Sequence, residues 1–492
     1  MSKFLDSVGF SEEKQTTVKT EIIAGIVTFL TMAYILMVNP AQILGFGATG
    51  ITWSSVFMAT ALGAVVGTLL MAFLAKMPLA QASGMGLNAM VGLTLGGAYG
   101  AFTNAGAFAV VLISGLVFLL LSVISINGKS FRELVFDGMP VPVRGAISVG
   151  IGLFIAYIGF QNAGIIVAGP TITDLVTFSA WGETWKLAVG PAVVALIGLG
   201  TIAVLEKFNI KGSVIIGIIV ATVVGIPFGV TNYAVLYDGS VSWKFWENFA
   251  DFFTVGGDSV FLSFTGIFSE GFGASVFTII MLVITFCMID MFDTMGTIVG
   301  CCGGNRILSD ENDKPNNYDK IMISDSIATC AGAILGTSTV TTFVESGAGV
   351  SAGGRTGLTA FVTACLFFLS IFIMPVFAAI PGAATASALI WVGVLMMKNN
   401  VKSIDFSNAI NAVSAFLTVV VMVLAYSITD GIGMGIVTFT ILSLISYAIE
   451  WIVYAIKAKK DAELAKPVFP VSIVAIIVTV LFLVYFLVPT VV

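Results

Sequence analysis

Histidine is absent from the 492-residue chain, and charged residues make up only 10% of it. Without histidine the chain lacks the side chain that most often relays protons and binds metals, so any proton chemistry must use carboxylates. Soluble domains carry about 25% charged residues. So few charges cannot coat a globule whose hydrophobic content is 58%, and the exterior must therefore face lipid. The composition predicts a polytopic membrane protein.

Other absences exclude further classes of protein. The net charge is −6 and no basic stripe interrupts the apolar segments, so nucleic acid is not an expected partner. The five cysteines lack the paired spacing of a metal site and are expected to pack as small apolar residues. The chain has neither an HExxH motif nor a Walker loop, which disfavours an intramembrane enzyme. No metal and no cofactor are expected.

Fifteen apolar segments, most of them long enough to cross a bilayer, lie between residues 20 and 490. No signal-peptide pattern precedes the first segment, so we expect it to be a permanent span. With the N-terminus in the cytoplasm and sides alternating, 19 of the 21 Lys and Arg residues fall inside, and only Lys186 and Lys244 fall outside. Basic residues concentrate on the cytoplasmic side of membrane proteins. The asymmetry supports both the spans and the orientation.

A short motif occurs twice, as ASGMGLNA at 82–89 and ESGAGVSA at 345–352. At one constant offset, Ser83 and Gly84 of the first copy correspond to Ser346 and Gly347 of the second. The copies lie in the third span of each half of the chain, and an odd number of spans separates them, so the halves face oppositely. Inverted halves with Gly-broken helices build binding sites at the membrane midplane. The bland alternative is a pair of small-residue packing faces.

Acidic residues near the middle of spans are costly and indicate function. Asp293 lies in TFCMIDMFDTMGT and Glu345 lies in the second Gly-rich motif, and neither helix carries a Lys or Arg deep enough to neutralise them. Buried carboxylates without a cation tend to hold a proton, so the pair predicts proton-coupled transport. Asp325 is nearer a span end, and we expect it to be hydrogen-bonded in a structural role.

The surroundings of Glu345 suit a flat heterocycle. Phe343 stands two residues earlier, where its ring could cover a planar ligand. The carboxylate would accept hydrogen bonds from the N–H groups of that ligand. Ordinary packing is the alternative role for this phenylalanine. Asn88 lies opposite by repeat symmetry, and its amide could supply both a donor and an acceptor.

Four segments carry a family resemblance: GIVTFLTMAYILMVNPAQIL at 25–44, ASGMGLNAM at 82–90, FDTMGT at 292–297 and FVESGAGVSAGGRTG at 343–357. Together they resemble the nucleobase–ascorbate transporter superfamily, also called nucleobase:cation symporter-2, in its branch of adenine/guanine/hypoxanthine permeases. The likeness extends from about residue 15 to 455. Relatives in the uracil and xanthine branches have a histidine shortly after the acid of span eight, where this chain has Thr297.

The resemblance implies an all-α membrane fold of two inverted repeats of seven spans, with broken third and tenth helices. Spans one to four of each half would form a core domain, and spans five to seven a gate domain through which relatives dimerise. The expected divisions are a cytoplasmic N-terminus (1–19), the core and gate of the first half (20–125 and 126–271), those of the second half (272–377 and 378–455), and a C-terminal segment (456–492). The extra apolar segment at 470–490 leaves the side of the C-terminus open.

The resemblance also places the ligand between spans three and ten, held by Asp293, Glu345 and Asn88. The candidate substrate-binding residues are Ser83, Gly84, Asn88, Asp293, Phe343, Glu345, Ser346 and Gly347, and proton coupling falls to Asp293 and Glu345. The sequence thus predicts a multi-pass protein of the cell membrane that imports purine nucleobases by proton symport with alternating access. The alternatives are a carrier of the same fold for xanthine, uracil or an anion, or an intramembrane enzyme.

Overall fold

A computed structural model of the protein describes residues 2–11, 14–98, 102–126, 129–130, 138–168, 173–179, 189–237, 241–254, 276–302, 307–309, 315–457 and 466–487. Lys186, one of the two basic residues predicted to lie outside, is not among the described residues. Over these residues the structure is helical, with three short two-stranded sheets.

The elements follow one another along the chain in two halves. Those of the first half are α1 (Ser2–Ser7), α2 (Val18–Met32), α3 (Ile35–Leu44), α4 (Trp53–Leu70) with a π-helical extension (Met71–Ala75), β1 (Gln81–Ser83), α5 (Met85–Leu95), α6 (Asn104–Val123), β2 (Ser125–Ile126), β3 (Lys129–Ser130), α7 (Val141–Asn162), β4 (Ile166–Ala168), β5 (Thr173–Leu175), α8 (Gly190–Lys207), α9 (Ser213–Gly225), a 3₁₀ turn (Tyr233–Leu236) and α10 (Phe245–Thr254). Those of the second half are α11 (Val276–Cys302), α12 (Tyr318–Leu335), β6 (Val340–Thr342), α13 (Ser346–Ser351), α14 (Gly357–Ser370), a 3₁₀ turn (Ile371–Ile373), α15 (Met374–Ala378), α16 (Gly382–Asn400), a 3₁₀ turn (Val401–Ser403), α17 (Ala409–Leu424), α18 (Ile428–Lys457) and α19 (Ile473–Leu487).

The helices match the predicted spans. In the described part of the chain, eight helical stretches are long and apolar enough to cross a membrane, and α5, α9, α16, α17 and α19 are shorter apolar helices. The two remaining predicted spans, 320–336 and 338–355, correspond to α12 and to the broken segment formed by β6 and α13. Both are less apolar because they carry the carboxylates and hydroxyls that build the candidate site.

Threonines begin several of these helices. The Thr17, Thr52 and Thr103 side chains each accept a hydrogen bond from a backbone N–H in the first turn of α2, α4 and α6. This N-cap satisfies a donor that the helix cannot pair internally. Between α2 and α3 the first span is interrupted at Ala33 and Tyr34, and that interruption positions a side chain of the candidate site.

Large apolar side chains remain exposed on the flanks of apolar helices, as expected of helices that face lipid. Leu120 on α6 is 57% exposed, and Ile219 and Val223 on α9 are 52% and 58% exposed. A soluble protein would bury most side chains of this type. The composition-based prediction of a lipid-facing exterior agrees with this distribution.

The chain divides into two compact units. The first comprises residues 1–125 and 155–392 and contains both broken spans, and the second comprises 126–154 and 393–492. The expected division into core and gate domains remains a prediction.

Within the second unit, the apolar segment at 470–490 forms α19, which runs antiparallel along α18. Gly433 near the start of α18 lies against Phe482, and the Thr479 hydroxyl donates to that of Thr440 over 2.7 Å. Farther along α18, the ring of Tyr447 meets that of Phe469, with ring centroids 5.3 Å apart. Helix α19 therefore packs antiparallel on the first half of α18, and the segment that precedes α19 meets α18 farther along.

Candidate functional site

The two broken spans meet at a short antiparallel pair of strands, called here the strand crossing. Strand β1 pairs with β6, with Ala82 opposite Thr341. Two further backbone bonds extend the pairing, since Gly84 N donates to Thr339 O and Phe343 N donates to Ala80 O, each over 3.0 Å. Helices α5 and α13 begin just beyond the strands. The predicted break in both spans is therefore present, and it brings the two repeats together.

The motif letters, the strand pairing and the helix starts align the two copies differently. The letters coincide at an offset of 263, which matches Ala82 with Glu345. In the antiparallel pairing Ala82 lies opposite Thr341, and Gly84 and Glu345 are the N-cap residues of α5 and α13.

Glu345 lies where the tenth span changes from strand to helix. It is the N-cap residue of α13 and is partly buried. Its Oε1 accepts a short hydrogen bond from the hydroxyl of Tyr34, and its backbone carbonyl accepts one from Thr31 over 3.4 Å. The first span thus holds the tenth span through both the side chain and the backbone of Glu345.

Asp293 approaches the same region from α11. A Cβ placed on Gly84, at the start of α5, would lie 3.8 Å from Asp293 Oδ2 and 2.7 Å from Thr341 Cγ2, so the carboxylate lies beside the strand crossing and the glycine lets β6 pack closely. Negative charges on Asp325 and Glu345 repel a negative charge on Asp293. Its carboxylate is partly exposed and has no hydrogen bond or ion pair with any residue that the structure describes. The described part of the chain likewise gives Glu345 no ion pair.

Asn88 and Ser83 are fully buried and belong to a chain of polar groups beside the crossing. Asn88 Oδ1 accepts a short hydrogen bond from Ser338, and its Nδ2 lies 3.4 Å from Ser83 O. The hydroxyls of Ser83 and Thr337 are 2.8 Å apart, and Asn39 Nδ2 donates to Thr337 over 2.7 Å. In this conformation Asn88 binds protein groups, so it would have to exchange partners to bind a ligand.

The remaining predicted residues surround Glu345. The Ser346 hydroxyl is fully buried and accepts from Ala80 N over 3.0 Å, which ties α13 to the residue preceding β1. Phe343 is 4% exposed. A Cβ on Gly347 would lie 3.6 Å from Cys301 Sγ, so α11 packs closely against the start of α13. Asp293, Glu345 and Gly347 are the predicted residues with more accessible surface, and Ser83, Asn88 and Ser346 support them from within.

Comparison with known proteins identifies the family. The sequence model described as "Permease family" (Xan_ur_permease) matches residues 19–434. The chain belongs to this permease family. Its members are transporters, so the prediction that the protein is not an enzyme is confirmed.

Two relatives of the permease are adenine permease AdeP of Escherichia coli (strain K12) and guanine/hypoxanthine permease PbuO of Bacillus subtilis (strain 168). AdeP is 36% identical over 440 residues, which cover 89% of this chain and 90% of AdeP. PbuO is 35% identical over 433 residues, which cover 87% of this chain and 92% of PbuO. These relatives confirm the predicted membership of the purine branch of the nucleobase–ascorbate transporter superfamily.

Among solved structures, the permease resembles the transmembrane domain of BicA, a cyanobacterium bicarbonate transporter. The TM-score is 0.55 at 14% sequence identity, and the likeness covers 84% of this chain and 97% of that one. At this identity the likeness concerns the fold alone. It confirms the predicted fold of two inverted repeats of seven membrane spans.

A second cluster of polar groups lies behind the crossing, centred on Asp325 of α12. Asp325 is fully buried, and its carboxylate accepts from Gln81 Nε2 over 2.9 Å, Thr294 Oγ1 over 2.7 Å and Thr342 Oγ1 over 3.2 Å. The donors come from β1, α11 and β6, so one carboxylate joins both strands to the helix that carries Asp293. The expectation that Asp325 is hydrogen-bonded in the permease agrees with this geometry.

Replacing Asp325 by alanine is expected to destabilise the permease by at least about 2 kcal/mol, because three buried donors lose their acceptor. Thermal unfolding in detergent measures the loss, with Asp319→Ala as the matched control, since Asp319 is an exposed acid in the first turn of the same helix. Equal melting temperatures for the two variants would contradict the structural role.

Sequence reasoning missed two residues of the first span, Tyr34 and Glu21. Glu21 is fully buried, and its carboxylate accepts from Thr359 Oγ1 over 2.6 Å and from the backbone N–H groups of Arg355 and Thr359 over 2.9 and 3.2 Å. It caps the first turn of α14 and joins the first span to the eleventh. An acid inside the first apolar segment, and a tyrosine in its middle whose hydroxyl needs a partner, were the available signals.

Proposed function

We propose that this permease imports purine nucleobases across the cell membrane by proton symport with alternating access. Family membership and the names of the relatives AdeP, an adenine permease, and PbuO, a guanine/hypoxanthine permease, support the substrate class. The observation that carries the proposal is the pair of partly accessible carboxylates, Asp293 and Glu345, at a crossing of two broken spans.

The chemistry of the crossing fits a neutral, flat heterocycle. Carboxylate oxygens accept hydrogen bonds, and purines present ring N–H and exocyclic amino groups as donors. Asp293 lies near two other carboxylates, those of Asp325 and Glu345, whose negative charges repel its own. The same charges would repel an anionic ligand. Phe343 stands two residues before Glu345 and Asn88 four residues after Gly84. Both are buried in this conformation, so the ring face and the amide that the proposal gives them would have to become accessible for a purine to bind.

Proton coupling follows from the same two acids. Neither Asp293 nor Glu345 has a cationic partner within the described ranges, and the chain contains no histidine. A carboxylate inside a membrane without a cation is stabilised by taking up a proton. We assign proton uptake from the outside to Asp293, whose carboxylate has no described hydrogen-bond donor, and ligand acceptance to Glu345.

Uptake of radiolabelled bases in a permease-deficient strain tests the function. The strain expressing the permease should accumulate hypoxanthine, guanine or adenine, faster at lower external pH, and a protonophore should collapse the accumulation. Uracil, xanthine and bicarbonate serve as competitors that report the alternative substrates. Accumulation of none of the three purines, or accumulation that survives the protonophore, would contradict the proposal.

We also propose that the N-terminus lies in the cytoplasm, on the basis of the 19-to-2 distribution of Lys and Arg. A cysteine replacing Lys244, whose side chain is 61% exposed, should react in intact cells with a membrane-impermeant maleimide. A cysteine replacing the exposed Asp319 should react only after permeabilisation, and the parent with its native cysteines sets the background. Labelling of the 319 variant in intact cells would contradict the proposed cytoplasmic N-terminus.

A further inference from the structure

Tyr34 occupies the interruption of the first span and is fully buried. Its hydroxyl donates to Glu345 Oε1 of the tenth span and lies 3.8 Å from the sulfur of Met85, the first residue of α5. The hydroxyl therefore stands at the point where the two broken spans begin their helices. No part of the predicted site included this residue.

A tyrosine hydroxyl can donate one hydrogen bond. Tyr34 donates it to the carboxylate of Glu345, which is the ligand's acceptor in the proposed function. A purine N–H group would make the same kind of hydrogen bond to Glu345. The Tyr34 hydroxyl is thus chemically equivalent to the ligand's donor at that oxygen.

We propose that Tyr34 is a positioning residue that satisfies Glu345 while the transporter returns empty. This inference rests on the proposed function and adds a step to it. After substrate and proton leave on the inside, the empty site must close again before it can open outward. Closing excludes water, and a carboxylate that loses water without gaining a donor is strongly destabilised. Tyr34 supplies that donor when no purine does.

The proposed role of Tyr34 affects two transport modes of the same protein differently. Net uptake requires the empty transporter to return, whereas exchange of labelled for unlabelled purine requires only the loaded transporter to cross. When purine is bound, its own N–H groups satisfy Glu345, so exchange depends much less on Tyr34. A change at Tyr34 should therefore slow net uptake and leave exchange largely intact.

The test compares the two modes in proteoliposomes that contain the full-length protein. Tyr34→Phe removes only the hydroxyl, and net uptake of labelled hypoxanthine driven by a proton gradient should fall by at least about tenfold, equivalent to 1.4 kcal/mol. Exchange at equal hypoxanthine concentrations on both sides should change by less than about twofold. Tyr318→Phe, at a second buried tyrosine of the same unit that lies at the start of α12, is the matched control and should change neither rate.

Retained exchange shows that the variant is folded, so the ratio of the two rates is the readout that a general structural defect would not move. A Tyr34→Phe protein in which both rates fall together, or in which neither falls, would overturn the inference. If the parent protein neither accumulates nor exchanges any of the three purines, the proposed function fails, and the inference fails with it.

Discussion

Replacing Asp293 by asparagine is expected to abolish accumulation of purine against a gradient. Asparagine keeps the size of the side chain but cannot take up and release a proton near neutral pH. For each proton carried, one unit of pH difference stores about 1.36 kcal/mol, which supports about tenfold accumulation. Without the proton site the internal and external purine concentrations should become equal, although purine can still bind and cross.

Accumulation ratios in proteoliposomes with an imposed pH gradient measure this effect. Asp319→Asn, which changes an exposed acid of the same unit, controls for the loss of one charge and should accumulate purine like the parent. Concentrative uptake by the Asp293→Asn protein would show that another group carries the proton.

Replacing Glu345 by glutamine is expected to weaken purine binding by at least about tenfold, equivalent to 1.4 kcal/mol. The variant keeps the shape of the side chain but converts half of its acceptor surface into a donor, and a charge-assisted hydrogen bond to the ligand contributes roughly 1.5–3 kcal/mol. The Tyr34 hydroxyl would also lose its charged acceptor, so the site would lose order as well as affinity.

Calorimetry with hypoxanthine, guanine and adenine on purified proteins measures the change. Glu450→Gln is the matched control, because Glu450 is exposed on α18 in the other unit, and it should bind like the parent. Ser346→Ala is a second comparison and should mainly reduce stability, since the Ser346 hydroxyl binds the backbone of Ala80. Parent-like affinity of the Glu345→Gln protein would remove Glu345 from the binding site.

Much of the fold could be predicted because each membrane-spanning helix requires a long apolar segment, which is visible in the sequence. Apolar runs marked the spans, and the Gly-rich motifs at 82–89 and 345–352 marked where two of them break. The short strands were not predicted. Three residues of pairing carry little signal in a segment of Ser, Gly and Thr, because their stability comes from the partner strand some 259 positions away.

Within the candidate site, the sequence indicated most directly the charged residues that stood out from apolar surroundings. Asp293 and Glu345 did so, but Tyr34 did not, because a tyrosine among apolar residues is compatible with ordinary packing until its hydroxyl partner is known. Asn88 shows the opposite case: its position was predicted, but its amide faces Ser338 and Ser83 in this conformation. Hydrogen-bond partners depend on distances between spans, which no local pattern contains.

Transport by the purified protein tests the central claim most directly. The permease reconstituted into proteoliposomes, with labelled hypoxanthine outside and the lumen more alkaline than the outside, should accumulate hypoxanthine transiently above its external concentration. Addition of a protonophore should release the accumulated label. Equilibration without accumulation, at the same rate with and without the pH gradient, would contradict proton-coupled purine transport.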